Sequence, residues 1–350
     1  LNMLKIVKRK SLSKKEHVVI QSLAIVLALL FAAIFIGMTG NNPVKVYLSM
    51  LDGAFGNSFR FKETIINSIP LIITSLGIII SFKMKFWNIG GEGQFVMGAV
   101  LGSYFALYHN TLPKPLLLII MLIAGFVAGG LWGIIPAYFR TKFKTNETIF
   151  TLLMNYIAIK FLTFLQYGPW KDPKSFGFPK ISGFVDNAVL PKIFGIHIGF
   201  IIAIILCIVV YIYINHTKQG YEISVIGESE NTAVYAGMKV DKIVMRTVFI
   251  SAGICGLAGI IQASAVSKTL AVTISNGTGF TAIIIAWLSN LNAGVTFIVA
   301  ILFSALVQGG SYIQMTFDIP QAAANVLQGT ILFFVLGSSF FTTYTIKRDK

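Results

Sequence analysis

From Val18 onward the chain alternates long apolar runs with short polar segments. A membrane-crossing helix needs about 20 apolar residues to span a hydrocarbon core about 30 Å thick. On that measure ten runs predict membrane helices, at about 18–38, 64–82, 93–108, 116–138, 148–167, 198–215, 244–263, 280–290, 295–316 and 322–341. The third and eighth are short, so they are expected to be tilted or discontinuous. Gly98 and Gly102, then Gly125, Gly129 and Gly133, stand four apart, and Gly253, Gly256 and Gly259 three apart. Small residues at such spacings let helix backbones approach closely. The predicted fold is an all-α, polytopic integral membrane protein of about ten helices with discontinuous elements.

One polar segment interrupts this pattern in an unusual place. Asn88-Ile89-Gly90-Gly91-Glu92-Gly93-Gln94 lies between the runs Ile65–Phe82 and Phe95–Tyr108. An ionisable side chain inside the bilayer costs about 2.5–3.5 kcal/mol on insertion scales and marks function by default. Three glycines in four positions argue against a stiff helix. Two readings stay open: a broken or re-entrant backbone lining a cavity, or a polar hairpin at the membrane surface beside Lys83 and Lys85. A faint internal echo follows span seven at Asn276-Gly277-Thr278-Gly279-Phe280, again a glycine break before a short span. Under alternating topology the two units run in opposite directions, as inverted repeats do in transporters.

Composition agrees with a bilayer-embedded chain. Hydrophobic residues make up 55%, charged residues 12%, and the mean hydropathy is +0.79; soluble domains carry about 25% charge. The net charge of +15 is dispersed in short segments between apolar runs, without the aromatic-interleaved patch of a nucleic-acid binder. Those segments instead report orientation. With the N-terminus in the cytoplasm, the inner side holds Lys5, Lys8, Arg9, Lys10, Lys14, Lys15, Lys83, Lys85, Arg140, Lys142, Lys144, Lys218, Lys239, Lys242, Arg246, Lys347, Arg348 and Lys350. The outer side holds half as many: Lys45, Arg60, Lys62, Lys114, Lys171, Lys174, Lys180, Lys192 and Lys268. The positive-inside rule then predicts both termini inside and an even number of spans. This gives a basic cytoplasmic segment 1–17, one transmembrane domain 18–341 and a cytoplasmic tail 342–350. The first run is longer than a signal-peptide core and lacks a small-residue cleavage site, so it is read as an uncleaved helix.

Two connectors carry expectations of their own. The outer loop Gly168–Gly195 is rich in proline, glycine and aromatics; it is read either as ordered against the membrane and open to an external partner, or as a solvated link. In the inner segment 216–243, Ser229 or Glu230 is expected to cap a short helix through Asn231–Ala236, with Gly237 as its stop. A short capped helix between spans suits docking.

Catalytic chemistry finds little support. No Gly-x-x-x-x-Gly-Lys-Ser/Thr loop, His-Glu-x-x-His or Cys-x-x-Cys occurs. Cys207 and Cys255 each sit in apolar runs and read as small hydrophobes. Neither a metal site nor a bound cofactor is expected. The polar groups inside predicted spans are the substrate-path candidates: Asn67, Asn88, Glu92, Gln94, Asn155, Gln262, Asn325 and Gln328. Each is equally a candidate for interhelical hydrogen bonding. Amides suit a neutral substrate rich in hydroxyl or amide groups. Glu92 is the one clear intramembrane carboxylate, which counts against an ion-coupled secondary transporter, the rival reading. Glu147 is expected to cap the fifth helix.

Three blocks, in order, carry a family resemblance. Asn88-Ile-Gly-Gly-Glu-Gly-Gln94, Gly227-Glu-Ser-Glu-Asn-Thr-Ala-Val-Tyr-Ala-Gly237, and Gly277-Thr-Gly-Phe-Thr-Ala-Ile283 with Leu291-Asn-Ala-Gly294 resemble permease subunits of bacterial ABC importers for simple sugars and nucleosides. The likeness is greatest to the nucleoside (purine) branch and covers nearly everything after the first span. It departs at Ser229-Glu230, where Asn-Pro is usual, and at the bulky Trp287. The resemblance implies a type II importer permease in the cell membrane, with 216–243 docking onto a partner ATPase through Gly227, Asn231, Ala233, Tyr235, Ala236 and Gly237. It further implies that this partner binds the ATP and Mg, that a second permease subunit (a different chain) completes the pathway, and that an extracellular or lipid-anchored binding protein delivers substrate. A ribose-like sugar permease is the alternative within the family.

Overall fold

The computed structural model describes residues 4–8, 13–38, 40–317, 326, 329–330, 333–334, 337–338 and 344–348. The chain divides into two compact units, Leu1–Thr64 with Leu302–Lys350, and Ile65–Ile301.

The first unit contains strand β1 (Leu4–Lys8), helices α1 (Lys14–Met38) and α2 (Pro43–Phe55), and the start of α3 (Ser58–Lys83). Helix α2 was not anticipated, because 43–55 reads as an outer connector. Its start is nonetheless written in the chain: Asn42 Oδ1 accepts the Val44 and Lys45 N–H groups at 3.0 and 3.3 Å, and Pro43 occupies the first helical turn. Arg60 pairs with Asp52 at 2.6 Å and stacks over the Tyr312 ring at 4.2 Å. β1 runs antiparallel to β4 (Tyr344–Arg348). The predicted span 322–341, with Asn325 and Gln328, lies outside the described residues apart from isolated positions.

The second unit continues α3 and adds α4 (Gly91–Tyr108), α5 (Lys114–Phe143), α6 (Glu147–Tyr167), strands β2 (Lys192–Ile193) and β3 (Ile196–His197), α7 (Gly199–His216), α8 (Lys218–Glu228), α9 (Glu230–Tyr235), α10 (Val240–Gln262), α11 (Thr278–Leu288) and the first part of α12 (Ala293–Phe317). Among the described residues six helices are long and apolar enough to cross a membrane, or seven if α1 and α2 form one broken span. The other expected spans 93–108 and 280–290 correspond to α4 and to α11, an apolar helix of 11 residues.

The core of this unit is the trio α4, α5 and α10, built on the glycine stripes. A Cβ on Gly129 would stand 2.7 Å from the Gly256 Cα, and one on Gly256 2.8 Å from the Gly129 Cα. Gly98 meets the Gly256 backbone, and Gly259 meets the Phe95 carbonyl. Backbone-to-backbone contact of this kind is what holds helices together in lipid, where the hydrophobic effect between them vanishes.

One expectation needs correction. Gly91 and Gly93 do not break the helix; they form the first turn of α4, and the irregular stretch is 84–90. Glycine disfavours a helix by about 1 kcal/mol per residue, and tertiary packing overrides that here. Gly91 has the Ile78 side chain only 3.2 Å from where its Cβ would be, and Gly93 has the Asn155 Cα at 2.9 Å. The glycines therefore serve close approach.

Candidate functional site

The irregular stretch 84–90 leaves backbone groups without helical partners, and buried ones must be satisfied. Asn88 is wholly buried. Its Oδ1 accepts the Gly90 N–H at 3.0 Å and the Gln94 Nε2–H at 2.9 Å, while its Nδ2 donates to Gln94 Oε1 at 3.1 Å. This reciprocal amide pair clamps the stretch onto the first turn of α4. Helix α6 closes it from the other side. Asn155 Oδ1 accepts the Gly93 N–H at 2.8 Å and its Nδ2 donates to the Ile89 carbonyl at 2.9 Å; Thr151 Oγ1 accepts the Ile89 N–H at 3.1 Å. Thr151 escaped the sequence reading. The signal was its position four residues before Asn155, on the same face of α6.

Glu92 completes the junction. Its Oε1 accepts the Gly277 N–H at 2.9 Å and its Oε2 accepts the Gly279 N–H at 2.6 Å. The carboxylate belongs to the first turn of α4 and caps the first turn of α11, so it stands at two helix N-termini, where the partial positive charge of both helices favours an anion. The two glycine breaks singled out in the sequence thus meet at one side chain. Gly277, the N-cap of α11, has φ +77, a left-handed conformation natural to glycine.

The structure brings Asn88, Glu92, Gln94 and Asn155 together, and all four are buried. The segment expected either to line a cavity or to form a surface hairpin is packed against α6 and α11, with Asn88 and Gly90–Gln94 buried. Asn67 is half-buried on α3, and at helical rise its 16-residue separation from Lys83 puts it about 24 Å from that helix's end. Gln262, also half-buried, is the last residue of α10, beyond which Ala263–Ser267 widen into a π-turn. Beside the junction an aromatic cluster was missed: Trp87 and Trp287 stack at 5.5 Å and 15°, and Phe82 packs on both at 5.3 and 5.9 Å. Trp287 keeps 41% of its surface exposed.

The expected short helix is α9. Ser229 Oγ accepts the Thr232 N–H at 3.2 Å, and Gly237 ends the helix at φ +75 while the Met238 N–H bonds back to the Ala233 carbonyl at 3.0 Å. Ala233 is buried; Asn231, Ala236, Gly237 and above all Tyr235, 93% exposed, face outward. Gly227, at the end of α8, is buried against the Lys83 carbonyl and lies close to Met84, the first residue of the irregular stretch. Arg140 supplies a second link. It pairs with Glu230 of α9 at 3.6 Å and Glu147 of α6 at 3.4 Å, and its guanidinium lies 6.0 Å from the Phe86 ring. Asn146, not Glu147, caps α6, its Oδ1 accepting the Ile149 N–H at 3.2 Å; Glu147 turns to Arg140 instead.

The connector 168–195 is ordered. Ser264 Oγ donates to the Ala188 carbonyl at 2.6 Å, the Phe184 N–H to the Lys268 carbonyl at 2.8 Å, and Thr269 Oγ1 to the Ile181 carbonyl at 3.0 Å. Phe176 and Phe178 project from it almost fully exposed. His197, at its base, is buried with no hydrogen-bond partner among the described residues. Burial first, then the charge of Lys192, lowers its pKa to about 4. Among the described residues no cluster of His, Cys, Asp or Glu could hold a metal ion.

The chain is similar to a guanosine ABC transporter permease of Bacillus subtilis, 28% identical over 334 residues, covering 92% of this chain and 94% of that one. It is similar to a nucleoside ABC transporter permease of Lactococcus lactis, 29% identical with 92% of each chain covered. A glucose ABC transporter permease of Haloferax volcanii is 29% identical over 87% of this chain and 83% of its own. The permease component of branched-chain amino acid transport systems matches residues 61–336. With most of its length inside that match, the chain belongs to this family of multi-pass ABC transporter permeases.

Proposed function

We propose that this permease forms the membrane pathway of an ATP-driven nucleoside importer. The observation that carries the reading is similarity across more than nine-tenths of both chains to permeases named for guanosine and for nucleosides. ATP is hydrolysed by a partner ATPase that receives α9; a second, different permease chain and an outer binding protein complete the system. The order of contacts supports a mechanism. Movement of α9 is passed through Gly227 to Lys83 and through Arg140 to Phe86, hence into the clamped stretch 84–90 and, by Glu92, into α11. Coupled rigid elements of this kind suit rocking between outward- and inward-facing states. The Asn88, Gln94 and Asn155 amides hold the stretch in shape, so their part in the path is to position it. Trp287 keeps 41% of its surface exposed beside the junction, and an exposed aromatic ring is a surface on which a nucleobase stacks irrespective of its identity.

The test is copurification from native membranes, then reconstitution into vesicles with ATP supplied to the ATPase side. Labelled guanosine should accumulate when the proton and sodium gradients are collapsed. Accumulation of glucose instead would favour the sugar branch. Recovery of the chain alone, with uptake driven by an ion gradient, would sink the importer reading.

A further inference from the structure

Beneath α9 lies a cavity of about 520 Å³ whose wall includes Lys218, Lys239, Lys242 and Arg246, against the single carboxylate of Glu222. Glu222 is already taken: it pairs with Arg246 Nη2 at 2.9 Å. The Arg246 Nε is buried and finds no hydrogen-bond partner among the described residues. Lys218, Lys239 and Lys242 are exposed and form no ion pair within the described residues. Four cations converging on one hollow with so little counter-charge repel one another, unless an anion joins them.

The position of the hollow says which anion. Lys218 opens α8 directly after α7, a helix long and apolar enough to cross a membrane, ends at His216, and Arg246 lies less than two turns inside α10, another such helix. The cavity therefore sits at the level where helix ends meet lipid headgroups. Basic pockets between membrane helices on the cytoplasmic side bind anionic lipid headgroups. We infer that this cleft is a binding site for the phosphate headgroup of an anionic phospholipid of the inner leaflet. Ala236 and Gly237 form part of the same wall, so the headgroup would brace the C-terminal end of α9. This rests on the proposed cytoplasmic placement of α9.

Native mass spectrometry of the full chain, purified in mild detergent, tests the site with phosphatidylglycerol as probe and phosphatidylcholine as control. One saturable phosphatidylglycerol should be retained at least tenfold more tightly than phosphatidylcholine. The double variant Lys239→Gln/Lys242→Gln should lose most of that preference, while Lys142→Gln/Lys144→Gln, on the basic end of α5, should keep it. Equal retention of both lipids, or an unchanged Lys239/Lys242 variant, would overturn the proposal. Displacement by millimolar inorganic phosphate with no lipid preference would reassign the cleft to a free anion. Displacement only by the ATPase subunit would make it a protein socket. Labelling of Lys218→Cys from one side of the membrane reads the orientation independently, so failure of the sidedness and failure of the lipid site give different results.

Discussion

Glu92 and Gly279, 187 residues apart, share a 2.6 Å hydrogen bond that ties the start of α4 to the start of α11. The bond exists because Gly279 has no side chain: a Cβ there would collide with the Glu92 backbone and stand 2.7 Å from the Gly91 carbonyl carbon. A carboxylate capping a second helix across the molecule makes two short elements move as one body.

Glu92→Ala should therefore release two N–H groups, one buried at Gly279 and one half-buried at Gly277. Leaving buried donors unsatisfied costs about 1–3 kcal/mol each, so the detergent-solubilised protein should melt earlier and uptake should fall at least tenfold. Glu92→Gln keeps one acceptor oxygen and should lie between. Gly279→Ala should match Glu92→Ala, whereas Gly294→Ala, with its nearest outside atom 3.5 Å away, should be silent. A Gly279→Ala protein that melts and transports like the parent would discard the two-helix tie.

Arg140 stands between α9 and the irregular stretch. Arg140→Met should lower stability by more than the roughly 0–1 kcal/mol of an exposed ion pair, because its pairs with Glu147 and Glu230 are partly buried. Substrate uptake per ATP hydrolysed should also drop several-fold. Glu230→Arg should do the same, and the exchange Arg140→Glu/Glu230→Arg should recover part of the coupling. Ratios of transport to hydrolysis measured in vesicles decide it; unchanged ratios in both single variants would remove Arg140 from the relay.

Trp287→Ala removes the exposed indole of the stacked pair. Base–aromatic stacking is worth about 1–3 kcal/mol, so nucleoside uptake should weaken by tenfold or more in apparent affinity, and Trp287→Phe should retain most of it. Equal loss of affinity in both variants would point to packing against Trp87 rather than to a base.

His197 predicts a pH dependence at the base of the 168–195 connector. Its folded pKa, about 4, lies below the ordinary 6.5. Protons bind more readily to the unfolded form, so its contribution is fully present above pH 6.5 and is lost as pH falls toward 4. Limited proteolysis of the 168–198 connector should accelerate between pH 6.5 and 4 in the parent. In His197→Phe that acceleration should shrink; an identical profile would place the acid sensitivity elsewhere.

Much of the architecture was legible in the chain because the bilayer imposes a simple rule on it. Apolar runs located α3, α5, α6, α7, α10 and α12, since a long apolar helix satisfies its backbone internally while its side chains face lipid. Capping chemistry is equally local: Ser229 or Glu230 as cap and Gly237 as stop located α9, and the structure assigns the cap to Ser229. Helix α2 was missed because its apolar residues share a segment with Lys45 and Asp52 and read as a connector.

What tertiary structure alone decided is the meaning of the polar residues. The chain announced Glu92, Asn88, Gln94 and Asn155 as anomalies in apolar surroundings, and it announced two glycine breaks. It did not say that the breaks meet, that Gly91 and Gly93 are helical, or that Asn88, Glu92 and Asn155 satisfy the junction's own backbone. Hydrogen-bond partners 62 to 187 residues away leave no local trace. Hydropathy and capping depend on neighbours in sequence, whereas the satisfaction of a buried polar group depends on which distant backbone is folded against it.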